Sequence, residues 1–126
     1  MRVITTHHDG HGLNESLQVE AADEIGPGGA NHLYIVTTKP GKDNSGTEVA
    51  RIQFQNGARG EKGSTPGVVE AAVLAIVCDR MEQFQAGPYP SRESAIVLTK
   101  CQEAIHWLRH RADGRAARGV LGKEVK

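Results

Sequence analysis

The stretch "AAVLAIVC", residues 71–78, is apolar around the whole circumference of any helix it forms. This limits the fold more than any other segment. A surface helix ordinarily buries one stripe and leaves the opposite face polar, whereas a helix apolar all round must be covered on several sides. A chain of 126 residues has material for one modest core. One sheet and one partner helix leave part of such a helix wet. Further copies of the chain would cover it, so the expectation is an obligate homo-oligomer. The alternative is that its alanines are tolerated at a wetted surface.

The remaining pattern divides the chain into a β-rich first half and a helical second half. Strands are predicted over "SLQVEA" (16–21), with Leu17, Val19 and Ala21 on one face, and over "HLYIVTT" (32–38). A third, "TEVARIQFQ" (47–55), places Ala50, Ile52 and Phe54 on one side. The turn formers of "KPGKDNSG" (39–46) join the last two strands as an antiparallel hairpin, and "RVITT" (2–6) adds an edge strand. "GPGGAN" (26–31) is a loop. Thr65 followed by Pro66 predicts a helix start, a hydroxyl cap and then proline at the first helical position. That helix runs to about Gln85, before "AGPYP" (86–90). Ser91 caps a second helix from Arg92 to about Arg118, which Gly119 ends. The short connection makes the pair antiparallel and brings Cys78 and Cys101 to similar heights.

The fold class is therefore α+β: a small antiparallel β-sheet followed by a long antiparallel helical hairpin. The chain reads as one domain, 1–126. It comprises an N-terminal β/loop extension (1–31), a β-hairpin and glycine-rich loop (32–63), the helical hairpin (64–122) and a tail (123–126).

Composition narrows the function. Fifteen basic residues balance fifteen acidic ones, which argues against DNA or another long nucleic acid as partner. The balance is uneven along the chain. Residues 100–126 carry seven basic and three acidic side chains, a net +4, and residues 1–25 carry one basic and five acidic, a net −4. A local positive field on a neutral protein suits a small anion. The two cysteines form no CxxC pair and no targeting segment or bilayer-length apolar run is visible. Reduced thiols, a cytosolic location and no membrane insertion are expected.

Arg111, Arg115 and Arg118 in "RADGRAARG" (111–119) fall within an arc of about 60° on a helix. They extend past the apolar pattern Val97, Cys101, Ala104, Ile105 and Leu108 as a projecting arm with few acids to neutralise it. Such a strip is either a solvated helix end favoured by the macrodipole or a grip on phosphate oxygens. Phe84 in "QFQAGPYP" is either a packing residue or a stacking surface for a nucleobase. "QNGARGEKG" (55–63), with Asn56 and Arg59, could present amides and a guanidinium to phosphates but lacks the spacing of a P-loop. "HHDGH" (7–11) matches no closed zinc pattern and lies in a segment expected to be mobile, so no metal is assigned. No nucleophile–base pair is recognisable: Ser91, Ser94, His106 and His110 fit capping and helix-surface roles, and Trp107 reads as packing. No catalytic residue or cofactor is assigned.

"IQFQNG" (52–57), "LAIVCDRMEQFQAGPYPSRESA" (74–95), "TKCQEAIHWL" (99–108) and "RHRADGRAARGVLG" (109–122) together resemble the phage sponge proteins of the Thoeris anti-defence and anti-CBASS hairpin-domain family, over residues 32–122. The resemblance implies a non-enzymatic sink in the cytoplasm of an infected bacterium. It would assemble as dimers to hexamers and hold cyclic nucleotide signals uncleaved. Implied ligands are glycocyclic ADP-ribose at sites shared between paired subunits, cyclic trinucleotides in pockets formed by three subunits, and in some members cyclic dinucleotides. By motif, Phe84 resembles the base-stacking residue, with Gln85 beside it. Arg111 and Arg115 resemble phosphate and ribose contacts, with Arg118 in the same strip. Arg59, with Asn56 and Gln55, resembles the trinucleotide pocket. Ser94 stands where relatives often carry asparagine, and Ala58 replaces a frequent proline. The alternative is a hydrolase that degrades the same signals.

Overall fold

Among the described residues four short strands pair in sequence order, each antiparallel to the next: β1 (Arg2–Ile4), β2 (Leu17–Ala21), β3 (Leu33–Thr38) and β4 (Glu48–Gln53). The computed structural model describes residues 1–39, 46–123 and 125–126. The turn expected over 39–46 therefore falls largely outside the described residues, but the antiparallel pairing of its two strands is as expected. The register explains the alternation. Ile4 faces Val19, Val19 faces Val36 and Val36 faces Ala50, one apolar row across the sheet. Ala21, Tyr34 and Ile52 form a second row. The row Glu20, Ile35 and Arg51 lies on the other face, because side chains alternate along a strand. The register shifts at Val36/Thr37, and Val49, passed over by the pairing, is exposed.

Two helices follow: α1 (Glu70–Ala86) and α2 (Arg92–Ala117). They pack against one another across the short connection 87–91, which makes them an antiparallel hairpin. Ser91 caps α2 as expected, its hydroxyl accepting the amide of Ser94 at 3.0 Å. Gly119 turns the chain with φ +73°, the left-handed backbone that glycine adopts without a Cβ clash.

The start of α1 corrects the sequence reading. Thr65 does not cap it, and the helix begins at Glu70 with Val69 at the cap position and no side-chain cap. The main chain of Thr65 is engaged elsewhere. Its amide donates to Asn56 O at 2.8 Å and its carbonyl accepts from Asn56 N at 3.0 Å. That bridge requires extended backbone at 65 and delays the helix until the chain has left the loop.

The chain divides into two compact units, Met1–Gly67 and Val68–Lys126. In the first, Ala21 and Ala58 are buried, and the rings of Tyr34 and Phe54 meet edge to face at 5.7 Å. In the second, Cys78 is buried. Burial pushes its thiol pKa up and the neighbouring Cys101 adds to this, so the two cysteines are neighbours as expected. Both are free thiols. Among the described residues no large side chain is fully buried, and Ile76, within the all-apolar stretch, is 70% exposed.

Candidate functional site

The hairpin has two chemically distinct ends. At the connection, Phe84 occupies the last turn of α1 and is 39% exposed. The guanidinium of Arg80, one turn earlier, lies 4.9 Å over the centre of its ring. The side chain of Gln85 accepts the amide of Ser91 at 3.0 Å and so ties the end of α1 to the start of α2. The hydroxyls of Ser91 and Ser94 are 2.9 Å apart. Phe84, Gln85 and Ser94 are therefore brought to one end of the hairpin, and Gln85 and Ser94 help to shape the connection. Arg80 escaped the sequence reading, although an Arg–Phe pair at i, i+4 on a helix was a legible signal.

At the opposite end of α2 the three arginines differ from one another. Arg111 is exposed. Arg115 is 9% exposed, and its Nη2 donates to the carbonyls of Val120 at 3.1 Å and Lys123 at 2.7 Å. Arg118 donates to the main-chain oxygen of Lys126. The strip is thus not a uniform projecting arm. The residues after Gly119 fold back and supply carbonyls to guanidinium groups at a helix end, where cations are also favoured by the macrodipole. The carbonyls satisfy N–H donors of Arg115 and Arg118 but, being uncharged, leave the positive charge of the strip in place.

The third group lies in the loop between β4 and α1. Gln55 holds both ends of the loop, its Nε2 donating to Gly57 O at 3.2 Å and its Oε1 accepting from Gly67 N at 3.1 Å. Arg59 Nη2 donates to Gly67 O at 3.1 Å, and Asn56 makes the bridge to Thr65. Gly67 is required by space: a Cβ there would lie 2.4 Å from Gln53 O and from Phe54 C.

Two further segments depart from the sequence reading. "HHDGH" forms a folded loop. His7 is hydrogen-bonded to Leu17 O at 2.8 Å, and the Glu15 carboxylate accepts the amides of Asp9, Gly10 and Gly12. The Gly10 amide is the main cause that holds Glu15 down at a pKa of about 2. Among the described residues no group of three or more potential ligands could hold a metal ion. Trp107 does not pack inside. It is 65% exposed, with the rings of His106 and His110 set edge-on at 5.8 and 5.5 Å. Val97, placed in the buried stripe by sequence, is also exposed, whereas Cys101, Ala104, Ile105 and Leu108 are half-buried. Among the described residues no helix is long and apolar enough to cross a membrane.

Residues 46–112 match the family described as Acb2/Tad1, hairpin domain. The match is narrower than 32–122, and it holds β4, the 55–67 loop, α1 and α2 as far as Ala112. It includes Gln55, Asn56, Arg59, Phe84, Gln85, Ser94 and Arg111; Arg115 and Arg118 lie beyond it. A curated relative, Thoeris anti-defense 1 of Bacillus phage SBSphiJ7, is 38% identical over 85 residues, which is 68% of this chain and 58% of the relative. The chain thus spans little more than half the length of that relative. With more than half of its residues inside the family match, this chain belongs to the Acb2/Tad1 hairpin-domain family.

Proposed function

We propose that this chain is a phage immune-evasion protein whose copies assemble around cyclic nucleotide signals and hold them without cleavage in the cytoplasm of the infected bacterium. Family membership and the anti-defence name of the phage relative support the biological setting. One geometric observation supports the shared site. Ser94 and Arg111 lie about 25 Å apart along the axis of α2, with Phe84 at the Ser94 end. One chain cannot close both groups on one small cyclic molecule. A second copy lying antiparallel would set its Arg111 beside the first copy's Phe84, surrounding a base with a ring and its phosphates with guanidinium groups. Donors without a nucleophile suit sequestration, and a rigid cyclic ligand loses little conformational entropy on capture.

Ile76 and Trp107 are the exposed apolar side chains we assign to subunit contacts, in a dimer or hexamer. A cyclic trinucleotide would occupy a separate pocket at Gln55, Asn56 and Arg59.

The deciding experiment incubates the protein with glycocyclic ADP-ribose or a cyclic trinucleotide, heat-denatures it and chromatographs the supernatant. Intact ligand, depleted before heating and released after it, is the expected result; cleaved ligand would establish the hydrolase instead. Phe84→Ala and Arg111→Ala should each weaken the ADP-ribose ligand while the oligomer persists by light scattering. Arg59→Ala should weaken trinucleotides alone, and equal loss of both classes would merge the two pockets into one.

A further inference from the structure

We infer that Arg80 is a ligand-binding residue, the anion contact contributed by the same subunit as the Phe84 platform. This rests on the reading of Phe84 as the base-stacking ring, and it adds a residue to that site. The guanidinium of Arg80 lies 4.9 Å over the Phe84 ring, so a charged group already sits at the platform that is to receive a phosphorylated base. The strip at Arg111 cannot supply that charge within one subunit, because it lies about 25 Å away along α2. The neighbouring carboxylate does not neutralise Arg80: Asp79 accepts from the side chain of Gln83 at 2.6 Å. Among the described residues Arg80 forms no ion pair. A guanidinium held over a ring by cation–π attraction keeps N–H groups available for phosphate oxygens. A bound ligand is then held by Phe84 and Arg80 of one copy and by Arg111 of the other.

The test titrates glycocyclic ADP-ribose into wild type, Arg80→Ala, Arg80→Gln, Arg80→Lys and Phe84→Ala by calorimetry at two salt concentrations, with melting temperature and mass measured in parallel. Arg80→Ala and Arg80→Gln are expected to weaken binding by about tenfold or more and to flatten its salt dependence. Arg80→Lys, which keeps the charge without the plane, is expected to restore the salt dependence and part of the affinity. Melting and mass should stay at wild-type values, because Arg80 is exposed on α1. A contact that served helix stability alone would lower melting and leave affinity in place, and that result overturns the assignment. Wild-type affinity in Arg80→Ala alongside weak binding by Phe84→Ala overturns Arg80 only. Wild-type affinity in Phe84→Ala removes the platform itself, and the Arg80 role with it.

Discussion

The loop between β4 and α1 and the two ends of the helical hairpin both carry candidate ligand residues, yet they are built in opposite ways. In the loop the polar groups are engaged with the loop's own main chain: Gln55 with Gly57 and Gly67, Arg59 with Gly67, Asn56 with Thr65. Its shape is set before any ligand arrives. At the hairpin ends Arg111 and Phe84 remain exposed, towards opposite ends of the hairpin. The loop's polar groups are satisfied within one chain, whereas nothing within one chain brings Arg111 and Phe84 together; under the proposed function the first group would act through its shape and the second only after assembly.

Four changes would break or sharpen this contrast. Gly67→Ala should have the largest effect, because the added methyl meets main chain and not a movable side chain. A loss of about 2–3 kcal/mol by chemical denaturation is expected, and an unchanged midpoint would show that the loop is soft. Arg115→Ala should follow, at about 2 kcal/mol, since a buried guanidinium leaves two carbonyls without donors. Hydrogen exchange should rise over 115–123, while Arg111→Ala should leave stability within about 0.5 kcal/mol and act on ligand alone. Equal destabilisation by the two would erase the distinction drawn within the arginine strip. Ser91→Ala should cost about 1 kcal/mol by removing the cap of α2; a threonine at 91 should recover most of it.

The smallest effect is local and concerns the Glu15 clasp. Its folded pKa, about 2, lies below the ordinary 4.5. The clasp therefore contributes fully above pH 4.5 and is lost as pH falls through about 2. Amide exchange at Asp9, Gly10 and Gly12, compared between wild type and Glu15→Gln at neutral pH and at pH 3, checks this. Wild type should retain protection at pH 3, and protection that disappears near pH 4.5 would show an ordinary carboxylate.

Asp23 shows how far such contacts lie from sequence. Desolvation pushes its carboxyl up, but the amides of His32 and Leu33 and the side chain of Asn31 prevail and hold it below its ordinary value. Nothing in residues 20–26 announces a partner nine positions later. The same is true of Arg80 and Phe84 only in part, because their spacing is helical and local.

The sequence by itself determined the elements whose cause is local. Alternation set the faces of β2, β3 and β4; the Ser91 hydroxyl and Gly119 set the two ends of α2; and four separated motifs pointed to the family. Tertiary structure alone decided where backbone hydrogen bonds outbid local preference. Thr65 is as good a cap in sequence as Ser91, but its amide and carbonyl meet Asn56 and the helix starts at Glu70. Arg115 and Arg111 are equivalent on a helical wheel, and only the returning chain, through the carbonyls of Val120 and Lys123, separates them. Trp107, apolar and next to a half-buried stripe, is left outside because a helix that packs on one partner can bury only one face. Propensity acts between neighbours in sequence; these outcomes were set by groups that meet only after the chain has folded.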